Sequence, residues 1–204
     1  MASAFFRTVV AATVAILFSA PGAQAASEAA LPTVSFVRFL LQVPAGVQWH
    51  DVQRGAFCAT TATEKSDGRA TVFNLAVLGP AFSQNFTSPD AVLANRSLSL
   101  FGDTNNPTAA DFQIGGIARD MHVNTCVQGI LGVRDEVTMS IEWQVYSPSK
   151  GQVVATVQTS GAASQKLKQV QNADAETMRM AFEENVRRLA ASPELKRILS
   201  TRST

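Results

Sequence analysis

Glu136-Val137-Thr138-Met139-Ser140-Ile141-Glu142-Trp143-Gln144-Val145-Tyr146 alternates apolar and polar side chains without a break. Val137, Met139, Ile141, Trp143 and Val145 therefore point one way, and Glu136, Thr138, Ser140, Glu142, Gln144 and Tyr146 the other. A period of two with one apolar and one polar face is the signature of a strand in an antiparallel sheet, buried on one side and wet on the other. Everything else in the fold has to cover that apolar face.

Working outward, Ser147-Pro148-Ser149-Lys150-Gly151 supplies a turn, and Gln152 to Ser160 reads as a returning strand. On the other side Phe112 to Cys126 reads as the preceding strand, with Gly115-Gly116 as the expected bulge. These three make a meander. Upstream, Val34 to Val43 is a strand candidate whose apolar run also fits a helix, and Ala70 to Leu78 is another strand candidate; Pro44-Ala45-Gly46 and Gly79-Pro80 stop them. Between the sheet segments, Ser88-Pro89-Asp90 has the order of a helix start, and Val92, Leu93, Arg96 and Leu100 recur at helical spacing before Gly102. The segment 163–172 reads as a flexible link. After it, Met178, Phe182, Val186 and Leu189 form the apolar stripe of a helix capped at Asn172 or Asp174, with Glu183–Arg187 and Glu184–Arg188 paired four apart outside. Ser192-Pro193-Glu194 restarts a short second helix. The expected fold is α+β: a mainly antiparallel sheet with a mid-chain helix at about 89–101 and a C-terminal helix packed on one face.

The amino-terminal residues set the compartment. Arg7 precedes a run from Val9 to Ala20 without charge, then Pro21-Gly22 and the small-x-small site Ala23-Gln24-Ala25. That is the order of a cleavable secretory signal over residues 1–25, with a mature chain from Ala26 to Thr204 as one domain with a helical end. The apolar run is about a dozen residues, against roughly 20 for a spanning helix. No transmembrane segment is expected after cleavage. Loss of Arg7 takes the basic count from 17 to 16, equal to the 16 acidic residues. A mature net charge near zero argues against nucleic acid as a partner and gives no global attraction to anionic membranes.

Two cysteines remain, Cys58 and Cys126. In an exported chain an isolated pair reads as one disulfide, closing a loop of roughly 70 residues for about 4 kcal/mol. The rival is an activated thiol: on a regular strand Asp120, His122, Asn124 and Cys126 share a face. Residues 122 and 126 are then about 13 Å apart, too far for a shared hydrogen bond. His50 and His122 are the only histidines, with no HExxH, G-x-S-x-G, phosphate-binding glycine loop or CxxC, so no catalytic residues, metal or cofactor are expected. His50 and Asp51 are adjacent and face opposite ways on an extended chain, so they form no dyad; Trp49 and His50 are instead the expected contact residues.

Gly55-Ala56-Phe57-Cys58, Ala110-Asp111-Phe112-Gln113-Ile114-Gly115-Gly116-Ile117, Asn124-Thr125-Cys126, Ile141-Glu142-Trp143-Gln144-Val145-Tyr146 and Val153-Val154-Ala155-Thr156 resemble an uncharacterised exported domain of proteobacteria that stands in some members in front of a trypsin-like protease domain. The order of strands and helices is also similar to the amino-terminal domain of the Tol-system propeller protein and to envelope auxiliary lipoproteins. The resemblance implies a Cys58–Cys126 bond and offers no catalytic residues. The resulting expectation is a periplasmic or secreted, non-enzymatic binding or accessory module that contacts a protein or an envelope component. Its competitor is a periplasmic enzyme with a site assembled from distant residues such as His122 and Asp120.

Overall fold

Three long antiparallel strands carry the architecture: β6 (Phe112–Val127), β7 (Val133–Ser147) and β8 (Gln152–Leu167). The structure is a computed structural model and describes residues 30–94, 110–168 and 173–201. The alternation that opened the sequence reading is obeyed: Val137, Met139, Ile141, Trp143 and Val145 are all buried. The strands are longer than their clearest sequence patterns. β8 runs on through Ala163–Leu167, so these residues of the expected link are paired with Val133–Val137 instead. Residues 169–172 of that link lie outside the described residues.

The far edge of β6 is shared between two shorter strands. β1 (Thr33–Leu41) runs parallel to its first half, from Val34 opposite Phe112 to Leu41 opposite Ala118. β2 (Gln48–Arg54) runs parallel to its second half, from His50 opposite Val123 to Arg54 opposite Val127. β3 (Ala59–Lys65) pairs antiparallel with β2, β4 (Thr71–Val72) antiparallel with β1, and β5 (Val92–Leu93) parallel with β1. The result is a mixed sheet in which the long ladders are antiparallel.

Among the described residues three α-helices accompany it: α1 (Leu75–Asn85), α2 (Ala173–Ala191) and α3 (Pro193–Ser200). The mid-chain helix stands upstream of its expected place. Only Thr71–Val72 of the expected 70–78 strand pairs in the sheet; Asn74 then caps α1, its Oδ1 accepting from the Ala76 N–H at 2.8 Å. Gly79 and Pro80, read as a stop, lie inside this helix. They cost about 1 and 3 kcal/mol in a helix interior. Burial of Leu78 and Phe82 offsets this at about 1.5–3 kcal/mol each, and Phe82 stacks on Phe36 with centroids 4.5 Å apart. Conversely, Ser88 caps no helix across 92–93: its hydroxyl accepts from the Asp90 N–H at 3.2 Å in a local turn, and Val92–Leu93 joins the sheet. The rest of the expected 89–101 helix, from Asn95 on, lies outside the described residues.

The expected bulge at Gly115-Gly116 is absent from β6, which pairs regularly there with Gln144 and Trp143. The irregularities along β6 fall at Val37 of β1 and at Arg119 of β6 itself; others break the β2–β3 register and, at Val154, the β7–β8 register. Gly116 serves a close approach instead: a Cβ would stand 2.9 Å from both the Phe39 and Trp143 rings.

α2 closes the core. Phe182 lies 5.1 Å from the Phe39 ring centroid and 5.9 Å from that of Trp143, and Val186 and Leu189 are buried beside it. The Ser192 hydroxyl accepts from the Leu195 N–H and starts α3 as expected. On the outside Glu184 pairs with Arg188, but Glu183 pairs with Arg179 rather than Arg187, which reaches Glu184 and Asn85.

Candidate functional site

Adjacent residues on β2 open on opposite faces of the sheet, and each face collects its own polar cluster. Asp51 points outward. It accepts from the Thr63 hydroxyl at 2.8 Å and from Gln48 Nε2 at 2.8 and 2.9 Å, and its Oδ2 lies 3.5 Å from His122 Nε2. The Thr63 hydrogen bond, helped by Gln48 and the two histidines, holds its carboxyl below the ordinary 3.8 against the opposing effect of burial. The carboxylate facing His122 is thus Asp51 from a neighbouring strand. Asp120, two residues from His122 on its own strand, is exposed.

His50 points inward, toward the side that α2 covers. Its Nδ1 lies 3.5 Å from Glu64, and its Nε2 lies 3.3 Å from the Thr125 hydroxyl. Thr125 Oγ1 in turn lies 2.7 Å from Asp135 Oδ1 and 3.1 Å from Asp174 Oδ1. Asp135 has no solvent exposure, and this burial raises its carboxyl pKa; Thr177 and Thr125 oppose the rise and the charge of Asp174 adds to it. The chain Glu64–His50–Thr125–Asp135 runs from solvent to the start of α2. Cys126 lies next to it in β6 and is bonded to Cys58, so it presents no thiolate to His122. Among the described residues no three His, Cys, Asp or Glu side chains converge as metal ligands.

Trp49 is half-buried and lines an open cleft of about 330 Å³ between β1, β3 and β4, with Leu41, Val43, Glu64, Lys65 and Arg69. The expected contact pair therefore splits: Trp49 faces this cleft and His50 stands behind it, its ring centroid 5.5 Å from that of Trp49.

The remaining feature is an edge. Among the described residues β8 pairs with β7 alone, so its other side meets no strand. From Gln152 to Gln165 it carries neither a charge nor a proline. Thr156, Gln158, Ser160, Ala162 and Ser164 are exposed in alternation, while Val157 and Gly161 are buried under the helices. A groove of about 250 Å³ lies on the outer face of the meander, across β7, lined by Arg119, Ser140, Glu142, Gln158 and Ser160. Sequence reasoning stopped this strand at Ser160 and did not identify it as an edge; edge status depends on sheet order, which periodicity does not encode.

No family model matches the chain, and no curated protein does. Among solved structures it is similar to a DUF330-family protein of Xanthomonas campestris at 12% identity, over 84% of this chain and 85% of that one, with a TM-score of 0.39. A hypothetical protein of Chlamydia trachomatis is similar at 13% identity, over 84% and 99%, with a TM-score of 0.39. A minor lipoprotein of Acinetobacter baumannii is similar at 9% identity, over 83% and 94%, with a TM-score of 0.32. At these scores the likenesses carry no argument about activity or location. No helix among the described residues is long and apolar enough to cross a membrane.

Proposed function

We propose that this protein is an exported accessory module of the bacterial cell envelope that binds a protein partner by adding a strand to the edge of β8. The observation that carries this reading is the uncharged, proline-free edge from Gln152 to Gln165. Exposed edges template pairing with another chain, and proteins that have no use for one blunt it with charges, prolines or bulges; the register break of β8 falls at Val154, near its start, and leaves Ala155 to Gln165 regularly paired with β7. Strand addition draws affinity from main-chain hydrogen bonds and specificity from pockets for alternate side chains. Export is supported by the signal-like segment ending at Ala25 and by a cysteine pair joined as a disulfide, the form that persists in oxidising compartments. The reading needs no catalytic residue.

The test is a charged edge. Thr156→Lys, Gln158→Lys and Ser160→Lys together place three ammonium groups along β8 at exposed positions. In periplasmic extracts of crosslinked cells the wild type should run as a complex with a defined partner. The triple variant should run free while melting like the wild type. A variant that keeps the complex contradicts the proposal.

A further inference from the structure

Phe57 and Ile130 are almost wholly in solvent, at 98% and 104% relative exposure, and Leu131 is 58% exposed. They stand on two turns at the same end of the sheet. The first closes with the Cys58 N–H donating to the Gly55 carbonyl at 3.2 Å, the second with the Gln128 N–H donating to the Gly132 carbonyl at 2.8 Å. The turns are tied together three ways: by the Cys58–Cys126 bond, by the Gly55 N–H on the Val127 carbonyl at 3.0 Å, and by Gln128 Nε2 on Cys58 Sγ at 3.6 Å. Two such tethered turns hold their apolar side chains outward, away from the core that would otherwise bury them.

The charge around this end is uneven although the mature chain is near neutral. Arg54 closes β2, Arg134 pairs in register with Cys126, Lys166 pairs with Arg134, and Lys168 follows β8. Gly132 backs directly onto Leu167, where a Cβ would stand 2.1 Å from the carbonyl oxygen, so the Lys166–Lys168 segment borders the second turn. Of the acids nearby, Glu136 is bonded to Arg134, Asp135 is buried inward, and Asp174 faces Thr125. Cations are left in excess around a convex apolar tip.

From this juxtaposition we infer that the Phe57/Ile130 tip inserts into an anionic lipid surface. A convex pair of apolar side chains suits an interface that deforms around it; a protein partner would need a matching pocket. Apolar side chains entering the acyl boundary, with basic residues at headgroup level, are the two ingredients of reversible interfacial binding. The inference stands apart from the β8 reading, which concerns a different edge and a different class of partner.

Flotation of the purified protein with vesicles of phosphatidylglycerol, and with vesicles of phosphatidylcholine, tests it. The wild type should partition onto phosphatidylglycerol at low ionic strength, weakening as salt is added. Phe57→Ser with Ile130→Ser should lower the partition coefficient by about tenfold or more for each side chain lost. Lys166→Glu with Lys168→Glu should lower it by about fivefold or more for each cation. Both pairs are exposed and should leave the melting temperature unchanged; the Lys triple in β8, which adds cations, should not lower vesicle binding. Wild-type protein that stays off phosphatidylglycerol at low salt overturns the inference. So does a Phe57/Ile130 variant that floats like wild type, or a tip that captures a protein while ignoring vesicles.

Discussion

The side-chain amide of Asn185 occupies the space that a side chain on Gly161 would need: a Cβ there would stand 2.6 Å from Asn185 Nδ2. Asn185 is fully buried and makes use of the room. Its Nδ2 donates to the carbonyls of Met139 at 3.1 Å and Ala181 at 2.9 Å, and its Oδ1 accepts from the Thr159 hydroxyl at 2.6 Å. Thr159 accepts in turn from the Trp143 indole N–H at 2.8 Å. One polar side chain thus joins α2 to both β7 and β8. Gly161→Ala should destabilise by about 1–3 kcal/mol through overpacking. Asn185→Leu removes the donors and acceptor, costing about 1–3 kcal/mol for each buried group left unpaired. Urea denaturation with an unchanged slope and a lowered midpoint is the expected record.

Phe182 provides the apolar counterpart of that lock. It is 1% exposed and packed among Phe36, Phe39 and Trp143. Phe182→Ala should cost about 3–5 kcal/mol in transfer and cavity terms, a large share of a total near 5–15. A melting temperature equal to wild type would contradict the core assignment.

This packing also measures what could be read beforehand. The Met178–Leu189 stripe and the alternation of β7 were legible because each periodicity matches a face that is in fact buried. The mid-chain helix was misplaced because Gly79-Pro80 is locally a stop, and only the contact of Leu78 and Phe82 with the sheet, made across the sequence, overrides it. The face that His122 shares with Asp120 and Asn124 is legible from the strand period, but its partner Asp51 comes from β2 through a parallel pairing that no local spacing foreshadows. Asp135 fell just before the clean alternation, and its burial depends on the start of α2.

Asp51 and Asp135 should titrate against stability in opposite senses. Asp51 has a lowered folded pKa, so its contribution is present above the ordinary 3.8 and is lost as pH falls through the lower folded value. Asp135 has a raised folded pKa, so it favours the folded state when protonated and subtracts stability as pH climbs from 3.8 through the higher folded value. Chemical denaturation across pH should therefore show the deficit of Asp51→Asn shrinking toward acid. Asp135→Asn should gain on wild type as pH rises through that window. Parallel pH profiles for both variants would contradict the assignment.

The Cys58–Cys126 bond spans 68 residues of sequence. Unfolded, unreduced protein should expose no thiol to labelling. Cys58→Ala with Cys126→Ala should lower stability by about 4 kcal/mol in the chain-entropy account. Two labelled cysteines in protein purified without reductant would contradict the bond and revive a thiol role.

The most direct test of the β8 reading is a photocrosslinking scan in living cells, with the reactive group placed singly at the exposed positions Thr156, Gln158, Ser160, Ala162 and Ser164 of β8, and at Ser140 and Glu142 on the same face of β7 for comparison. A strand laid along this edge runs beside every residue of β8 and is one strand further from β7. Crosslinks to one partner should therefore form all along β8, fall away on β7, and vanish when Thr156, Gln158 and Ser160 are changed to Lys at the remaining positions. Crosslinks as strong from β7 as from β8, or a partner retained in full by the Lys-bearing edge, would contradict strand addition at β8.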